Sequence, residues 1–331
     1  MARVLGWHVV VKKGEFKVGD KCVYFEIDSI LPPDNPDFAF LLNSKGKMKP
    51  LKTKRIRGVI SQGLVMPLSV LHYEGNIEEG QDVTDILGVQ KKEDEVIEFY
   101  KTMGAIKKRD FPPFLHKTDE TRVQVLQKHL NVCQGHKFVA TEKVDGTSYT
   151  AFIRDGKFGI CSRNMEVDME VDSPYSAIAF KYMLKEKFEK LRNDYIPYDF
   201  AIQGEIIGAN IQKNKYHVTD YECYLFNYIN IDKQKDIGFY FSDDNEKLEF
   251  EGINLASIAG LLNMKTVPII DDNFTMINDI DTLVRLSVGN SVLYPKQVRE
   301  GLVFRCKHNK ELSYYGERIS FKAINPEFLL G

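Results

Sequence analysis

The sequence has little that would place it outside a cell or in a membrane. Its five cysteines (Cys22, Cys133, Cys161, Cys223, Cys306) are scattered and form no CxxC pair, which argues against a zinc ribbon and against a disulfide framework. No apolar run approaches the roughly 18–20 residues needed to span a bilayer, so no membrane partner is expected. The opening MARVLGWHVVVKKGEF lacks the short apolar core and small-residue cleavage site of a signal peptide. An intracellular, reducing setting is expected, cytoplasmic with the nucleus left open. Charge of one sign is also lacking. A net charge of −2 excludes a polycation that grips nucleic acid by bulk attraction, so such a partner needs a local patch. No internal repeat or low-complexity tract is visible.

What is present suits a two-domain globular protein. A chain of 331 residues, 43% hydrophobic, can bury two cores. Residues 1–105 read as all-β. WHVVVKKGEFKVGDKCVYFEI holds short β-branched and aromatic runs, broken at Lys13-Gly14 and Gly19-Asp20. ISQGLVMPL repeats the style, and such strands suggest a small barrel. Within this region, KGKMKPLKTKRIR from Lys45 to Arg57 carries seven basic residues and no acidic one. It reads either as a nucleic-acid patch or as a solvated loop. YKTMGAIKKRDFPPF, with Pro112-Pro113, reads as a linker.

Residues 106–331 mix elements. KFVATEK is a strand ending at Lys143. SYTAFI and KFGICS are strands joined at Asp155-Gly156, a hairpin signal. One helix is predicted over 173–193, with Ser173 as N-cap and Pro174 at its first position. YDFAIQGEIIG, ECYLFNYIN, GLVFRC and ISFKAI read as strands, and NLASIAGLLN and INDIDTLVRLSVG as helices. The order is not a regular βαβ alternation. The predicted class is α+β, with antiparallel sheets and flanking helices behind an N-terminal β-barrel.

The chemistry centres on Lys143-Val144-Asp145-Gly146. A K-x-D-G match arises by chance in about one chain in ten of this size. Its place at the end of an apolar strand is more informative. Gly146 permits a sharp turn that aims Lys143 between sheets. An amine can attack the α-phosphorus of a nucleotide and form a phosphoramidate. With an ordinary pKa near 10.4, it must be favoured as the neutral form by burial or neighbouring cations. The alternative is a surface lysine in a turn. Glu205, Glu300 and Lys322 each place a charge in or beside an apolar strand. Three such positions in one domain suggest a shared polar site. Asp145, Glu205 and Glu300 are candidates to hold a hydrated Mg²⁺, and Lys322 to meet phosphate.

The ordered set Lys143-Val-Asp-Gly, Ser162-Arg163-Asn164, Gly204-Glu205-Ile-Ile-Gly208, Tyr224-Leu-Phe226-Asn227, Glu300-Gly-Leu-Val303 and Phe321-Lys322 resembles the motifs of covalent nucleotidyltransferases. That superfamily contains RNA ligases, DNA ligases and mRNA capping enzymes. VGDKCVYFEIDSILP and TKRIRGVISQGLVMPL resemble the OB module of ATP-dependent RNA ligases that carry it first. The resemblance implies Lys143 as the adenylylated nucleophile. It implies Glu142 and Val303 beside the adenine, with Phe226 stacked on it, although Phe226 also suits plain core packing. It implies Arg163 and Lys322 at phosphate or ribose, Ser148 among the AMP-binding residues, and Arg122 at phosphate, though a helix-surface arginine is an alternative for Arg122. Asp145, Glu205 and Glu300 would meet Mg²⁺ or Mn²⁺ through its waters.

Two departures matter. DNA ligases and many capping enzymes carry arginine five residues after the lysine, where this chain has Ser148, which leans toward RNA ligases. The last motif often reads K-x-K, and here it reads Ser320-Phe321-Lys322, one cation short. The family's OB module begins earlier than Met1, so the barrel's first strand is expected either to be absent or to be contributed differently. The implied activity joins RNA 3′-hydroxyl and 5′-phosphate ends, in nicked duplexes or single strands, through lysyl-AMP and an RNA adenylate. A monomer is expected. The alternatives are a GTP-dependent capping guanylyltransferase and a non-catalytic RNA-binding protein with an inactive transferase domain.

Overall fold

The computed structural model describes residues 1–91, 106–233, 235–236, 253–307 and 319–330. The chain divides into two compact units, Met1–Glu93 with Pro326–Gly331, and Asp94–Asn325. The expected division at residues 105 and 106 lies against a stretch, 92–105, outside the described residues. Residues 326–331, expected in the second domain, group with the first unit instead. There Glu327 takes a bidentate pair of hydrogen bonds from Arg55, both at 2.8 Å.

The first unit is mainly β, as its short apolar runs imply, but the expected all-β reading needs amending for the short helical turns Pro36–Leu41, Leu68–Leu71 and Thr84–Leu87. Its strands pair antiparallel in twos: Ala2–Val4 with Trp7–Val9, Cys22–Phe25 with Leu64–Pro67, Ser29–Ile30 with Gln90–Lys91, and Lys54–Ile56 with Val59–Ser61. The last pair turns at Arg57-Gly58, both with positive φ, the backbone that matches the twist of a two-residue hairpin. Val23, Phe25, Leu31 and Phe38 form its core. A second cluster surrounds Trp7 and Val65.

The second unit holds two sheets. The larger has eight strands. Its order is Lys235–Asp236, Glu222–Asn230, Phe200–Ile207, Thr147–Arg154, Lys157–Cys161, Met165–Val167 and Lys107–Asp110, with Lys265–Thr266 added parallel to Glu222–Asn230. The smaller has the order Ile269–Thr275, Lys137–Lys143, Gly301–Cys306 and Ser320–Ile324. Every other pairing named is antiparallel, so the expected α+β class holds. The predicted hairpin is present, with Arg154 opposite Lys157 and both Asp155 and Gly156 at positive φ.

Helices cover each sheet on one side. Pro174–Lys181, Leu184–Asp194 and Leu255–Leu262 bury Tyr175, Ile178, Phe188 and Ile258 in the core of the larger sheet. Gln127–Cys133 and Ile280–Ser287 bury Leu130 and Leu283 against the smaller one. Burying each large side chain contributes about 1.5–3 kcal/mol.

Two expectations need correction. The single helix over 173–193 is two helices. Ser173 and Ser176 cap the first reciprocally, but Met183 sits at φ 51°, which ends the helical run. Lys181 and Tyr182 are both tied to Glu222 at that point, at 2.9 and 3.0 Å. The described part of the expected linker is also not a plain linker. Lys107–Asp110 adds an edge strand beside Met165–Val167, because Ile106 is buried in the main core and Phe111 and Phe114 pack near Phe152.

Candidate active site

Lys143 is the last residue of the strand Lys137–Lys143, opposite Gly301 in the smaller sheet. Three residues later the chain enters Thr147–Arg154 of the larger sheet. The K-x-D-G segment is therefore the crossing between sheets, with Val144 buried at its centre. Its glycine is needed for a reason other than the one expected. Gly146 is not among the residues with positive φ. The chain does bend at Gly146, but a Cβ there would lie 2.2 Å from the Ile206 carbonyl oxygen, so what excludes a side chain is close approach. Gly301 is constrained in the same way, 2.3 Å from the Ala323 carbonyl oxygen.

The Lys143 Nζ donates to Glu300 Oε2 at 2.8 Å, with the lysine side chain 24% exposed. Burial alone would lower its pKa, but the Glu300, Glu205 and Asp145 carboxylates outweigh burial and hold the amine above its ordinary value. The chemistry expected from the sequence requires a site that favours the neutral amine. The folded site does the opposite, because three carboxyl groups surround the amine.

Those anions are themselves costly. Burial, with Glu300 and Asp145 nearby, pushes Glu205 up to about 8 against the pull of Lys143. Burial and Glu300 push Asp145 up to about 6, although Lys215 and Lys143 pull it down. Glu205 accepts from the Gly146 N–H at 3.1 Å, and Asp145 Oδ2 accepts from Lys215 at 2.6 Å. Across the site, burial and then the cations Lys143 and Arg122 push Lys322 down to about 8. Like charges have been gathered on both sides, an arrangement expected where ligands of opposite charge bind. Among the described residues, no three His, Cys, Asp or Glu side chains form a group that could hold a metal ion. Asp145, Glu205 and Glu300 nevertheless offer hard oxygen donors whose mutual repulsion a hydrated divalent cation relieves, and this chemistry fits Mg²⁺ or Mn²⁺.

A small pocket opens beside Lys143, and Glu142, Glu205, Phe226 and Val303 line it with that lysine. Glu142 is 1% exposed. Its Oε2 accepts from the Val292 N–H at 2.7 Å, while its buried Oε1 has no hydrogen-bond partner. Burial raises its pKa. A buried acceptor left open costs about 1–3 kcal/mol unless a ligand completes it. Phe226 owes its position to a bulge. Gln203 pairs with Asn227 and Gly204 with Leu225, so Phe226 is the extra residue, and bulges re-aim side chains in this way.

The other expected residues stand apart from the lining. Asp145 and Glu300 act on Lys143 electrostatically without lining the pocket. Ser148 sits opposite Glu205 and shares a 2.6 Å hydrogen bond with Thr118, which does line it. Arg122 and Lys322 meet through a parallel bridge. Arg163 is 41% exposed and held by Asp119 through two hydrogen bonds at 2.7 and 3.1 Å. It is not brought into the pocket.

Sequence reasoning missed four contributors. Arg305 and Glu120 line the pocket as a pair at 3.3 Å, and the guanidinium lies 5.4 Å from the Phe226 ring centre. A signal for Arg305 existed, since strand periodicity puts it on the face of Val303. Lys215 and Tyr216 reach Asp145 from a distant loop, and nothing in the sequence pattern marks them.

A family model described as RNA ligase matches residues 136–324, and one described as an OB-fold domain matches residues 1–68. Among solved structures, the Naegleria gruberi RNA ligase is similar over nearly the whole chain. An arginine-to-alanine mutant with ATP and Mn aligns at a TM-score of 0.82 and 33% identity, covering 99% of this chain and 91% of that one. The ligase with PPi gives 0.81 and 33%, covering 98% and 90%. A lysine-to-methionine mutant with AMP and Mn gives 0.80 and 33%, covering 99% and 91%. None of the curated proteins compared matches this chain. Among the described residues, no helix is long and apolar enough to cross a membrane.

Proposed function

The chain belongs to the RNA ligase family, and from that premise we propose that it seals RNA 3′-hydroxyl and 5′-phosphate ends with ATP, carrying AMP on Lys143. The observation that supports this most directly is one pocket that joins Lys143 to an aromatic ring, Phe226, and to the open Glu142 Oε1. An adenine stacked on Phe226 with Val303 at its side can donate its amino group to that oxygen. Base–aromatic stacking contributes about 1–3 kcal/mol. The Naegleria structures with ATP and with AMP support the same nucleotide here.

The chemistry has three steps. The Lys143 Nζ gives up a proton and forms a bond to the α-phosphorus of ATP, and the bond to the leaving pyrophosphate breaks. The AMP then passes to an RNA 5′-phosphate, freeing Lys143. The 3′-hydroxyl of the other strand finally attacks the 5′-phosphate, and AMP leaves. Lys143 can lose its proton only when the attraction of Glu300, Glu205 and Asp145 is offset. Arg122 and Lys322, already crowded enough to depress the Lys322 pKa, suit the phosphate. Ser148 holds its strand beside the nucleotide. Arg163 reaches ribose or phosphate once Asp119 releases it. Asp145, Glu205 and Glu300 would hold Mg²⁺ or Mn²⁺ through its waters, and the bound ion supplies positive charge next to the α-phosphate. Positioning and electrostatics supply most of the rate in such transfers.

The OB module and the Lys45–Arg57 run would orient the RNA, as OB barrels read nucleic acids. Incubation with α-labelled ATP or GTP tests the proposal. Label on Lys143 from ATP supports it. Label from GTP alone indicates a capping guanylyltransferase. No label from either, with metal supplied, indicates a binding protein. A Lys143→Ala protein that still seals these ends rules out the covalent reading.

A further inference from the structure

The least regular backbone near the site is the segment after the strand Phe200–Ile207. Gln212, Lys213, Asn214 and His217 have φ values of 46°, 61°, 48° and 52°, all in the left-handed region. Such residues persist only where the surroundings over-determine them. The segment delivers three side chains onto the crossing between the sheets. Gln212 Nε2 donates to the Gly146 carbonyl at 3.4 Å. The Tyr216 hydroxyl accepts from the Asp145 N–H at 2.8 Å. Lys215 Nζ donates to Asp145 Oδ2 at 2.6 Å.

The three interactions differ in kind. Gln212 and Tyr216 grip the main chain. Lys215 meets the carboxylate assigned above to a divalent cation. Its side chain is 30% exposed and that of Asp145 is 14%, so the ammonium has a route outward while the carboxylate stays inside. An ammonium and a divalent cation seek the same oxygen with the same sign of charge, and they compete for it.

We propose that Lys215 is a resident counter-cation for Asp145, which keeps that carboxylate aimed in the nucleotide-free enzyme and competes with the divalent cation for it. The inference rests on reading Asp145 as a metal partner. It implies that metal alone binds weakly and that metal and ATP bind cooperatively. The nucleotide's phosphates attract both the metal and the displaced ammonium, so Lys215 carries part of the coupling. Lys215 is a positioning residue in this scheme.

The test is a Mn²⁺ titration of nucleotide-free protein, read by electron paramagnetic resonance. Lys215→Met keeps the length of the stem and removes the charge. The expected result is Mn²⁺ affinity tightened by roughly tenfold, with Lys215→Arg close to the unmodified protein. The gain should vanish when Asp145→Asn is added. Damage to a merely structural tie would not tighten metal binding. Unchanged or weaker Mn²⁺ binding in Lys215→Met, beside a clear loss in Asp145→Asn, overturns this proposal alone. Unchanged binding in Asp145→Asn overturns the metal reading of Asp145 and this proposal with it, while leaving the Lys143 labelling result standing. Lys215→Gln, which keeps a hydrogen bond without the charge, gives the same comparison if the methionine variant misfolds.

Discussion

The two units treat charge in opposite ways. In the first, all seven basic residues from Lys45 to Arg57 are exposed, and the core around Phe25 and Phe38 is apolar. In the second, Glu142, Lys143, Glu205, Glu300 and Lys322 lie in or beside core strands, where burial and charged neighbours shift Lys143, Glu205 and Lys322. Surface cations act weakly and additively on a phosphate backbone, and salt screens them. Buried charges act strongly, cost stability unless matched, and resist screening. The contrast assigns the proposed labour: covalent chemistry in residues 94–325, and RNA holding in residues 1–93.

The hardest blow to this comparison is Lys143→Ala. It is expected to abolish labelling by ATP and to cut sealing roughly 10³-fold or more. Glu205→Gln comes next, with adenylylation down about 10²-fold. Its second effect concerns pH. Glu205 has an ordinary pKa of 4.5 and a folded value of about 8. Between these values the folded state keeps a proton that the unfolded state has lost. The ligand-free protein is therefore expected to lose stability as pH rises from about 5 to 8. Asp145 adds to the lower part of that window, up to about 6. Thermal melts across pH should show the decline, and Glu205→Gln should flatten most of it. A steady gain in stability over that range would contradict the burial of Glu205.

Smaller effects sharpen the comparison. Glu142→Ala removes the open acceptor in the pocket, so ATP affinity should fall about tenfold while that for GTP changes little. Competition binding with the two nucleotides checks this. The smallest change is expected from Lys45→Ala, Lys47→Ala and Lys49→Ala combined. Labelling of Lys143 should be untouched and RNA affinity should fall. For every phosphate these lysines neutralise, the slope of log affinity against log salt should become shallower by about 0.7–0.9. A loss of labelling in this triple variant would break the division of labour.

Much of the second unit was legible because its signals are local. The run KFVATEK, its terminal Lys143 and the Asp155-Gly156 turn all follow from a few neighbouring residues. Glu205, Glu300 and Lys322 stood out because each sits where an apolar strand does not want a charge. What escaped depends on partners distant along the chain. The break at Met183 follows ties to Glu222, and Lys215 reaches back to Asp145 across a loop that no periodicity describes. The bulge at Phe226 depends on how two strands register, which neither strand encodes alone. The protonation of Lys143 depends on distant partners in the same way. A lone buried amine favours the neutral form, and only the assembled carboxylates reverse that. The bend at Gly146 is local, but the obstacle to a side chain there is a carbonyl from another strand.

The crossing at Val144, Asp145 and Gly146 also has a mechanical meaning. Three linking residues, at about 3.3–3.6 Å each when extended, leave almost no slack. The width of the cleft and the reach of the amine are therefore one coordinate. Lys143 is thereby held at the junction of the two sheets by the chain itself, whatever the side chains around it do.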